Sequence, residues 1–393
     1  MTDRPITIAI DARWIFPEIS GVGAYTRALI HEFSCIDAFN RYELIFDNAA
    51  VAGRTAAETG YDEASNFRRR LVPFGPFSVR NQLLLPSLLR RWNCDVYHSS
   101  NYMIPLAHRR APSKSGTRYV VSIHDVIPLV LPDHAPKSRK TRLLPLYRYV
   151  MRRVGRAADA LLTVSECSRR DLIEHLNIPA ADTGKVHVVH NGVGTRFRPA
   201  DDAAAAPLDA GTPRPRELLY VGRADPYKNV CMLIRVLARL RRQRGDAVRL
   251  TIVGPRDERY PEAGRLSQEL GVADAVRWTG YLPQNQLIDA YRKADVLVHP
   301  SHYEGFGLQV IEAMACGLPV VCSTGGSLPE VAGDAALTVD PDDAEGFANA
   351  AARVLDDAAF AADLAAKGRT HAAQFTWRRA AEKTLDVYRN MLL

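Results

Sequence analysis

The sequence predicts an α/β protein built from two Rossmann-like domains, each with a parallel sheet. Short apolar segments alternate with amphipathic stretches along most of the 393 residues. This alternation is typical of parallel strands that are covered by helices on both faces. The two halves also begin alike, since ITIAID and ELLYVG are each followed by a loop and a helix. Between the halves, residues 199–216 are rich in proline, alanine and aspartate and show no hydrophobic period, as expected of a boundary.

The elements follow in chain order. The predicted strands of the first half are Ile6–Ile10, Tyr42–Phe46, Val96–His98, Tyr119–Ile123, Leu161–Val164 and Val186–His190. Those of the second half are Leu218–Val221, Arg249–Val253, Val276–Trp278, Val296–His299 and Pro319–Cys322. Helices are predicted over Tyr25–Phe33 and Val230–Leu240. The expected domains are 1–200 and 217–377, with a linker at 201–216. Because ligands bind beyond the carboxyl ends of parallel strands, two such domains facing each other place the active site in the cleft between them.

Composition favours a soluble, cytoplasmic enzyme. The hydrophobic content of 47% is ample for two cores. The six cysteines are scattered and form no CxxC pair, so neither a zinc site nor a disulfide framework is expected. The chain runs from MTDRPITIAID straight into a strand without a signal-like leader, and it contains no apolar run of about 18 residues.

Positive charge is concentrated in the first half. Residues 1–200 hold 28 lysines and arginines against 18 aspartates and glutamates, whereas the remainder holds 23 against 26. In residues 137–156, KSRKTRLLPLYRYVMRRVGR, cations alternate with apolar side chains. Two interpretations stay open, a solvated helix face or contact with an anionic membrane surface. The sequence contains no nucleic-acid-reading motif, so no nucleic-acid partner is expected.

Residues 300–329, PSHYEGFGLQVIEAMACGLPVVCSTGGSLP, are the most informative segment. Glu304 lies in a loop before a predicted helix, and Glu312 lies on that helix. The glycines at the helix start let a ligand approach the backbone, and the helix N-terminus offers free N–H groups to an anion. This segment therefore predicts a phosphate-and-sugar site at a strand–loop–helix junction.

The two glutamates resemble the glutamate-x7-glutamate signature of the family 4 retaining glycosyltransferases. Other segments resemble that family in the same order, among them IAIDARWIFPEISGVGAYTRALI, SIHDVIP, LLTVSECSRRDL, VVHNGV and LLYVGRADPYKNV. The resemblance implies the GT-B fold, in which two Rossmann-like parallel-sheet domains face each other across a cleft. It also implies that the C-terminal helix, residues 378–393, crosses back onto the first domain.

The resemblance assigns roles to the residues of the second half. Glu304 is expected to bind hydroxyls of the transferred sugar, and Glu312 those of the ribose. The backbone N–H groups of Phe306, Gly307 and Leu308 would face sugar and phosphate. Arg223 and Lys228 follow a strand directly and would neutralise the diphosphate leaving group, so no metal or other cofactor is expected. Asp340 and Asp342 form an Asp-x-Asp pair that is interpreted as a turn. Candidates for framing the base are Gly254, Tyr281, Leu282 and Leu287.

The first half would supply further contacts. Gly21 and Gly23 lie in a predicted loop, Ser20–Gly23, which the resemblance assigns to the donor diphosphate. His124 would touch the transferred sugar near the reacting carbon. The expected catalytic residues are thus Glu304, His124, Arg223 and Lys228. Candidates for the acceptor site are His98, Asn101, Tyr102 and Asp125.

The resulting hypothesis is a retaining hexosyltransferase of cell-surface polysaccharide biosynthesis. The expected donor is GDP-mannose, because DARWIFPEISGVGAYTRAL resembles bacterial mannosyl- and rhamnosyltransferases. The expected acceptor is a saccharide, lipid-linked because of the basic first half. A glycoside hydrolase would also use two carboxylates, but here one lies in a loop and the other further along a helix, with phosphate-binding glycines between them. Two alternatives remain, a GT-B sugar-nucleotide 2-epimerase and a noncatalytic protein that binds nucleotide sugars.

Overall fold

The chain forms two compact units. The computed structural model describes residues 4–17, 20–107, 116–134, 142–200 and 214–392. Unit 1 comprises Met1–Val130, Leu143–Gly192 and Trp377–Leu393. Unit 2 comprises Leu131–Arg142 and Val193–Thr376. The C-terminal residues thus group with unit 1. Most of the predicted linker, residues 201–213, lies outside the described part of the chain.

Unit 1 is built on a seven-stranded parallel sheet in the order β3-β2-β1-β4-β5-β6-β7. Its strands are β1 Thr7–Asp11, β2 Arg41–Phe46, β3 Phe67–Leu71, β4 Val96–Ser99, β5 Arg118–Ser122, β6 Ala160–Thr163 and β7 Val186–Val188. Its helices are α1 Gly21–Ile36, α2 Ala49–Thr59, α3 Val79–Arg91, α4 Ile127–Val130, α5 Leu144–Ala157 and α6 Glu166–His175, and α14 Trp377–Asn390 at the C-terminus.

Helices cover both faces of this sheet. Ile8 and Ile10 of β1 pack into a core with side chains of α1, α2 and α14. Ala9, between them, points to the other face and joins a core made with α3, α5 and α6. This alternation follows from the two-residue period of a strand. Strands buried on both faces explain why β1, β4, β5 and β6 could be predicted from apolar runs alone.

Unit 2 is built on a six-stranded parallel sheet in the order β10-β9-β8-β11-β12-β13. Its strands are β8 Arg216–Val221, β9 Val248–Val253, β10 Val276–Gly280, β11 Val296–His299, β12 Val320–Ser323 and β13 Leu337–Val339. Its helices are α7 Val230–Arg244, α8 Glu262–Glu269, α9 Gln284–Lys293, α10 Leu308–Ala315, α11 Leu328–Ala332, α12 Ala344–Asp356 and α13 Ala358–Ala372. One core lies under α7, α8, α12 and α13, and a second lies under α9, α10 and α11.

The predicted fold class is confirmed, but some local elements differ from the prediction. The glycine segment Ser20–Gly23 is not a loop, because α1 begins at Gly21 and the Ser20 hydroxyl accepts a hydrogen bond from the Gly23 N–H at 3.1 Å. A side-chain cap of this kind starts a helix. Strand β3 was not predicted, because its sequence FRRRL lies at the sheet edge with most side chains exposed or half-buried.

Among the described residues, no helix is both long and apolar enough to cross a bilayer.

Candidate functional site

The strand order of unit 2 marks a place for a ligand. Chain connections run outward in one direction from β8 and in the other from β11, and these two strands are neighbours. In open α/β sheets, ligands bind beyond the carboxyl ends of the strands at such a switch point. The loop after β8 carries Arg223 and Lys228, and the loop after β11 carries Glu304. The sheet therefore brings together residues that the sequence separates by 76 positions.

Lys228 and Glu304 form a bidentate ion pair. The Lys228 Nζ atom lies 2.7 Å from Glu304 Oε1 and 2.8 Å from Oε2. Both side chains are almost fully buried. Glu304 Oε1 also accepts hydrogen bonds from the Ser301 hydroxyl at 2.7 Å and from His299 Nε2 at 2.9 Å. Three donors, from the loop after β8, the end of β11 and the loop after β11, thus hold one carboxylate in a fixed position.

Backbone contacts fix the two loops that carry this pair. Asn229, in the left-handed conformation, donates from its side-chain amide to the carbonyl oxygens of Pro300 and Pro341. The Ser327 hydroxyl and N–H both donate to the Glu304 carbonyl oxygen, at 2.9 and 3.0 Å. A Cβ atom at Gly326 would lie 2.5 Å from that oxygen, so only glycine allows the approach.

The ion pair fixes the charges of both partners. Burial raises the pKa of Glu304, but the Lys228 ammonium and the hydrogen bond from His299 outweigh it, so the pKa lies well below its usual range. For Lys228, burial lowers the pKa and the Glu304 carboxylate raises it, with a net rise. Glu304 is therefore an anion and Lys228 a cation at neutral pH. A fixed carboxylate of this kind accepts hydrogen bonds from hydroxyl groups, and a fixed ammonium binds phosphate oxygens.

Glu312 has a different environment. It lies on α10, partly buried, and its Oε2 atom accepts a hydrogen bond from the Tyr291 hydroxyl at 2.8 Å. Burial raises its pKa to about 7, and the bond from Tyr291 opposes that shift. Two carboxylates eight positions apart thus differ in charge behaviour, because only Glu304 has a cation beside it.

The start of α10 supplies backbone donors. Gly307 caps this helix with φ 90°, and a Cβ atom there would lie 2.7 Å from Leu328 Cδ2. Glycine is therefore required both by the backbone angle and by the packing. Leu308 is the first residue of the helix, and the Phe306 ring is buried against Phe375 at 5.8 Å between centroids. The helix begins beside the Glu304 loop, so its N-terminal N–H groups lie at the same edge of the sheet.

Arg223 is placed differently from Lys228. Its side chain is 65% exposed and pairs with Asp225 within the same loop, with Nε 2.9 Å from Asp225 Oδ2. It thus has freedom to turn toward a ligand that the buried Lys228 lacks. The two cations belong to one loop but form no common cluster in this structure.

The residues predicted to frame the base have mixed surroundings. A Cβ atom at Gly254 would lie 1.9 Å from the Gly222 carbonyl oxygen. Backbone packing therefore requires glycine at this position, independently of any contact with the base. Tyr281 is exposed just after β10. Leu282 and Leu287 are partly buried against the core under α9.

In unit 1, His124 follows β5 and packs edge-on against the Tyr25 ring at 4.7 Å. Its Nε2 atom lies 3.3 Å from the Ser100 carbonyl oxygen, and its own carbonyl accepts from the Ser168 hydroxyl. The side chain is only partly buried, which is compatible with the predicted contact to a sugar.

The prediction that His98 binds acceptor is wrong for this structure, because the residue is fully buried. Its Nδ1 atom lies 2.5 Å from the Tyr388 hydroxyl and its Nε2 atom 2.8 Å from the Ser122 hydroxyl. Burial lowers its pKa to about 3, so the ring is neutral. The Ser122 hydroxyl also bonds Tyr25, which packs on His124. His98 thus links α14 to the support of His124.

The other predicted residues of unit 1 lie at the carboxyl edge of the sheet. Asp125 accepts from the Ile127 N–H at 3.1 Å, and Asn101 accepts from the Tyr102 N–H at 2.9 Å. These are local turn contacts. Gly21 and Gly23 lie in the first turn of α1, after β1. Both belong to a helix N-terminus, which can face an anion, although the Gly23 N–H already donates to the Ser20 hydroxyl.

Sequence reasoning missed three residues of the unit 2 site: His299, Ser301 and Tyr291. His299 is the last residue of β11, where a polar side chain after VLV marks the end of the strand. Tyr291 lies on α9, and its proximity to Glu312 depends on how two helices pack. The sequence contains no pattern that predicts this contact between Tyr291 and Glu312.

Across the ranges that the structure describes, no group of three or more His, Cys, Asp or Glu side chains has the arrangement of a metal site. Asp340 and Asp342 form a turn, in which the Asp342 N–H donates to Asp340 Oδ1 at 2.9 Å.

Comparison with known protein families agrees with this arrangement. Residues 21–197 match the Glycosyltransferase Family 4 domain, and residues 210–371 match the domain of Glycosyl transferases group 1. A D-inositol 3-phosphate glycosyltransferase of Saccharomonospora viridis is 32% identical over 349 residues, which cover 82% of this chain and 79% of that protein. The chain belongs to the glycosyltransferases that combine these two domains, Glycosyltransferase Family 4 and Glycosyl transferases group 1. The resemblance inferred from the glutamate motif is thereby confirmed.

Other relatives extend over different lengths. The O-antigen chain mannosyltransferase B of Escherichia coli is 27% identical to this glycosyltransferase over 94% of the chain and 96% of that protein. For the D-inositol 3-phosphate glycosyltransferase 2 of Catenulispora acidiphila, 37% identity covers 56% of that protein. Among solved structures, sucrose-phosphate synthase of Thermosynechococcus elongatus has a TM-score of 0.72 at 23% identity, covering 98% of both chains. The glycosyltransferase therefore has the GT-B fold.

Proposed function

We propose that this glycosyltransferase transfers mannose from GDP-mannose, with retention of configuration, to a saccharide acceptor in cell-surface polysaccharide biosynthesis. In this proposal Glu304 binds hydroxyls of the transferred sugar, and Glu312 binds the ribose hydroxyls of the donor. Arg223 and Lys228 face the diphosphate, together with the N–H groups at the start of α10. The acceptor attacks from the face that the diphosphate leaves, and a departing phosphate oxygen takes the acceptor proton.

The observation that carries the proposal is the buried Lys228–Glu304 pair at the switch point of unit 2. Charge accumulates on the diphosphate as the glycosidic bond breaks, and a preorganised cation lowers the free energy of that state. Glu304 fixes the position of the Lys228 ammonium, which carries three N–H donors, one more than its two contacts with Glu304 use. Glu304, fixed in turn, presents its remaining acceptor capacity to sugar hydroxyls.

Mannose as the transferred sugar is supported by the name of the E. coli relative, an O-antigen chain mannosyltransferase that matches over nearly its whole length. Cell-surface polysaccharide is supported by the same name. The match to D-inositol 3-phosphate glycosyltransferases supports a competing acceptor class, but six of those relatives match over only 52–56% of their length and a seventh over 79%, against 96% for the mannosyltransferase. The mannosyltransferase assignment is therefore the better supported one.

A lipid-linked acceptor and a position at the cytoplasmic face of the membrane complete the proposal. They rest on the excess of cations in residues 1–200. Of the basic segment 137–156, residues 137–141 lie outside the described residues, whereas Arg142 and the arginines of α5 are described.

The test uses the purified full chain. Its thermal stability is measured with GDP, UDP and ADP and with their sugars, since a ligand that binds the folded state raises the apparent melting temperature by mass action. Transfer from GDP-mannose to mannose-containing oligosaccharides is then followed, and the anomeric configuration of the product is read by NMR. We expect stabilisation by GDP and an α-linked product, the configuration of the donor.

Other results would overturn parts of the proposal. Stabilisation by UDP alone would refute GDP-mannose, and a β-linked product would refute retention. Formation of an epimer from donor alone would identify the 2-epimerase. Binding of donor without transfer or hydrolysis would identify a noncatalytic binding protein.

A further inference from the structure

One face of the unit 2 sheet is polar and partly open. Leu250 and Ile252 of β9 are buried in the core under α7. Arg249 and Thr251, which alternate with them, point to the other face and are exposed and half-buried, respectively. Arg277 of β10, the register partner of Thr251, is exposed on that same face. Parallel sheets are normally covered by apolar contacts on both faces, so this polar surface calls for a binding partner.

The open face lines a cavity of about 970 Å³. Helix α9, which packs on side chains of β8 and β11, borders it with Gln286, Asp289 and Lys293. A volume of this size is within the range of about 300–1,000 Å³ that is usual for small-molecule sites.

The charged floor of the cavity lies away from the candidate site of unit 2. Glu217, Arg249 and Arg277 are each the second residue of their strands, β8, β9 and β10. The loops that carry Lys228 and Glu304 follow the opposite, carboxyl ends of β8 and β11. A ligand held by the second residues of these strands therefore takes no part in the transfer of a sugar.

Three cations that line the cavity are available to a ligand. Within the part of the chain that the structure describes, Arg249, Arg277 and Lys293 form no ion pair. By contrast, Arg214 at the border of the cavity is held by both carboxylate oxygens of Asp295 at 2.9 Å.

Arg249 and Arg277 are spaced to hold one phosphate group. Arg249 lies two residues before Thr251 on the same face of β9, and Thr251 is the register partner of Arg277. A strand spacing of about 4.8 Å and a rise of about 3.3 Å per residue place the two arginine positions roughly 8 Å apart. Two long guanidinium side chains at that separation can converge on a phosphate, to which arginine donates paired hydrogen bonds.

Glu217 imposes a second requirement on the ligand. It lines the cavity beside Arg249, its register partner on β9. Its Oε1 atom is buried and accepts no hydrogen bond from any described residue. A buried oxygen without a donor costs free energy, and hydroxyl groups of a ligand can supply the donor.

We propose that this cavity, the β9–β10 cavity, binds a small phosphorylated saccharide. Arg249 and Arg277 hold the phosphate, and Glu217 accepts hydrogen bonds from the sugar hydroxyls. A neutral saccharide would leave the two arginines unpaired, whereas a polyphosphate would place negative charge beside Glu217 without giving it a donor. The site is separate from the donor and acceptor sites of the proposed function and does not depend on them.

Isothermal titration calorimetry of the purified full chain tests the proposal, with mannose 6-phosphate, mannose and inorganic phosphate as separate probes. We expect one mannose 6-phosphate to bind per chain, at least about tenfold more tightly than mannose or phosphate, because it alone uses both the arginines and Glu217. The titration is repeated with saturating GDP, which in the proposed function fills the nucleotide site. We expect the affinity for mannose 6-phosphate to be unchanged.

Two variants separate the phosphate contact from the hydroxyl contact. Arg249→Gln/Arg277→Gln is expected to lower the affinity for mannose 6-phosphate and for inorganic phosphate at least about tenfold. Glu217→Ala is expected to lower the affinity for mannose 6-phosphate about tenfold but not that for inorganic phosphate, because phosphate loses only a repulsive neighbour. The matched control Arg235→Gln/Arg239→Gln removes the same charge from exposed positions of α7 and is expected to bind as the wild type does.

Circular dichroism and the melting temperature check that the variants fold. Transfer in the absence of mannose 6-phosphate is expected to be unchanged in all three, so a failed binding test leaves the proposed function standing.

Three results would overturn the proposal. The first is a wild type that binds mannose 6-phosphate no more tightly than inorganic phosphate, or not at all. The second is an affinity that the cavity variants keep, or that the α7 control loses to the same extent. The third is displacement of mannose 6-phosphate by GDP, which would assign the binding to the nucleotide site.

Discussion

At the scale of single residues, the unit 2 site depends on which charges are buried. Lys228 is buried with Glu304, whereas Arg223 is exposed beside Asp225. Both were predicted to act on the diphosphate, but the structure separates the consequences of removing them. Removing Lys228 would leave the Glu304 carboxylate buried and unpaired, which destabilises the folded state. Removing the exposed Arg223 is expected to change the stability of the fold little.

Replacing these cations tests the separation. Arg223→Ala is expected to lower kcat/KM for the donor by an amount equivalent to about 2–4 kcal/mol, with an unchanged melting temperature, because only the developing charge loses a partner. Lys228→Ala is expected to lower kcat/KM and also to destabilise the fold by about 3–5 kcal/mol, because Glu304 stays buried and unpaired. Urea denaturation and steady-state kinetics measure the two effects, with exposed Arg235→Ala as the control. Wild-type kinetics in both variants would exclude the diphosphate contact.

The raised pKa of Glu312 predicts that donor binding depends on pH. Burial raises its pKa to about 7, so the folded chain holds its proton at pH 6 and loses it at pH 8. The ionised carboxylate accepts ribose hydroxyls better, so the KM for the donor is expected to fall as the pH rises through 7. In Glu312→Gln the KM is expected to be higher and independent of pH over this range. A wild-type KM that is flat between pH 6 and 8 would contradict the assignment.

The same shift has a consequence for folding with a definite sign. The unfolded glutamate has a pKa of 4.5, so between pH 4.5 and 7 the folded chain binds more protons than the unfolded chain. The contribution of Glu312 to stability is therefore fully present below pH 4.5 and is lost as the pH rises toward 7. Glu312→Gln lacks this loss, which urea denaturation at pH 5 and pH 7.5 can detect as a smaller difference between the two pH values.

At the scale of elements, α14 supports unit 1 through a buried hydrogen bond. The Tyr388 hydroxyl bonds His98, and the chain of contacts continues through Ser122 to Tyr25. Tyr388→Phe keeps the ring but leaves a buried imidazole nitrogen without a partner. We expect a loss of about 1–3 kcal/mol in the free energy of unfolding. Tyr281→Phe, at an exposed position, serves as the control, and a Tyr388→Phe protein as stable as the wild type would refute the role of this bond.

Whether transfer needs a metal ion depends on the elements that face the diphosphate. In the proposed function two cations of the loop after β8 and the N-terminus of α10 face the diphosphate. We therefore expect transfer to survive excess EDTA with little loss of rate. If EDTA abolished transfer and magnesium or manganese restored it, the proposal of metal-independent transfer would fall, and Asp340 and Asp342 would become candidates for the metal ligands.

The elements differ in how far the sequence predicts them. Strands β4, β11 and β12 are buried at every residue and appear as apolar runs, whereas β3 lies at an edge and carries three arginines. The glutamate motif and the Arg-Lys loop predict the candidate site residues of unit 2. Their pairing could not be predicted, because it requires β8 and β11 to be neighbours across 76 residues of sequence. The prediction for His98 was wrong because the end of a strand was expected to be accessible to a ligand. In the structure α14 covers His98.

At the scale of the whole molecule, the proposed donor residues of the site belong to unit 2, apart from Gly21 and Gly23. Each unit has its own sheet and its own cores, and the C-terminal residues Trp377–Leu393 group with unit 1. Nucleotide binding and sugar transfer are therefore expected to respond differently to changes in the two units. In the proposed function, a substitution of His124 in unit 1 is expected to lower transfer while the proposed contacts of unit 2 to the nucleotide remain.

This difference gives the last prediction. Saturating GDP at about 100 times its Kd is expected to stabilise the wild type by about 2.7 kcal/mol, and Glu312→Ala is expected to lose most of that gain, because it removes the proposed ribose contact. His124→Ala, in unit 1, is expected to keep the full stabilisation by GDP while transfer falls by about 10²-fold or more, since His124 touches only the sugar in this proposal. Thermal shift with and without GDP, together with the transfer rate, distinguishes the two. Equal loss of GDP stabilisation in both variants would show that the nucleotide site depends on unit 1, against the division of roles proposed for this glycosyltransferase.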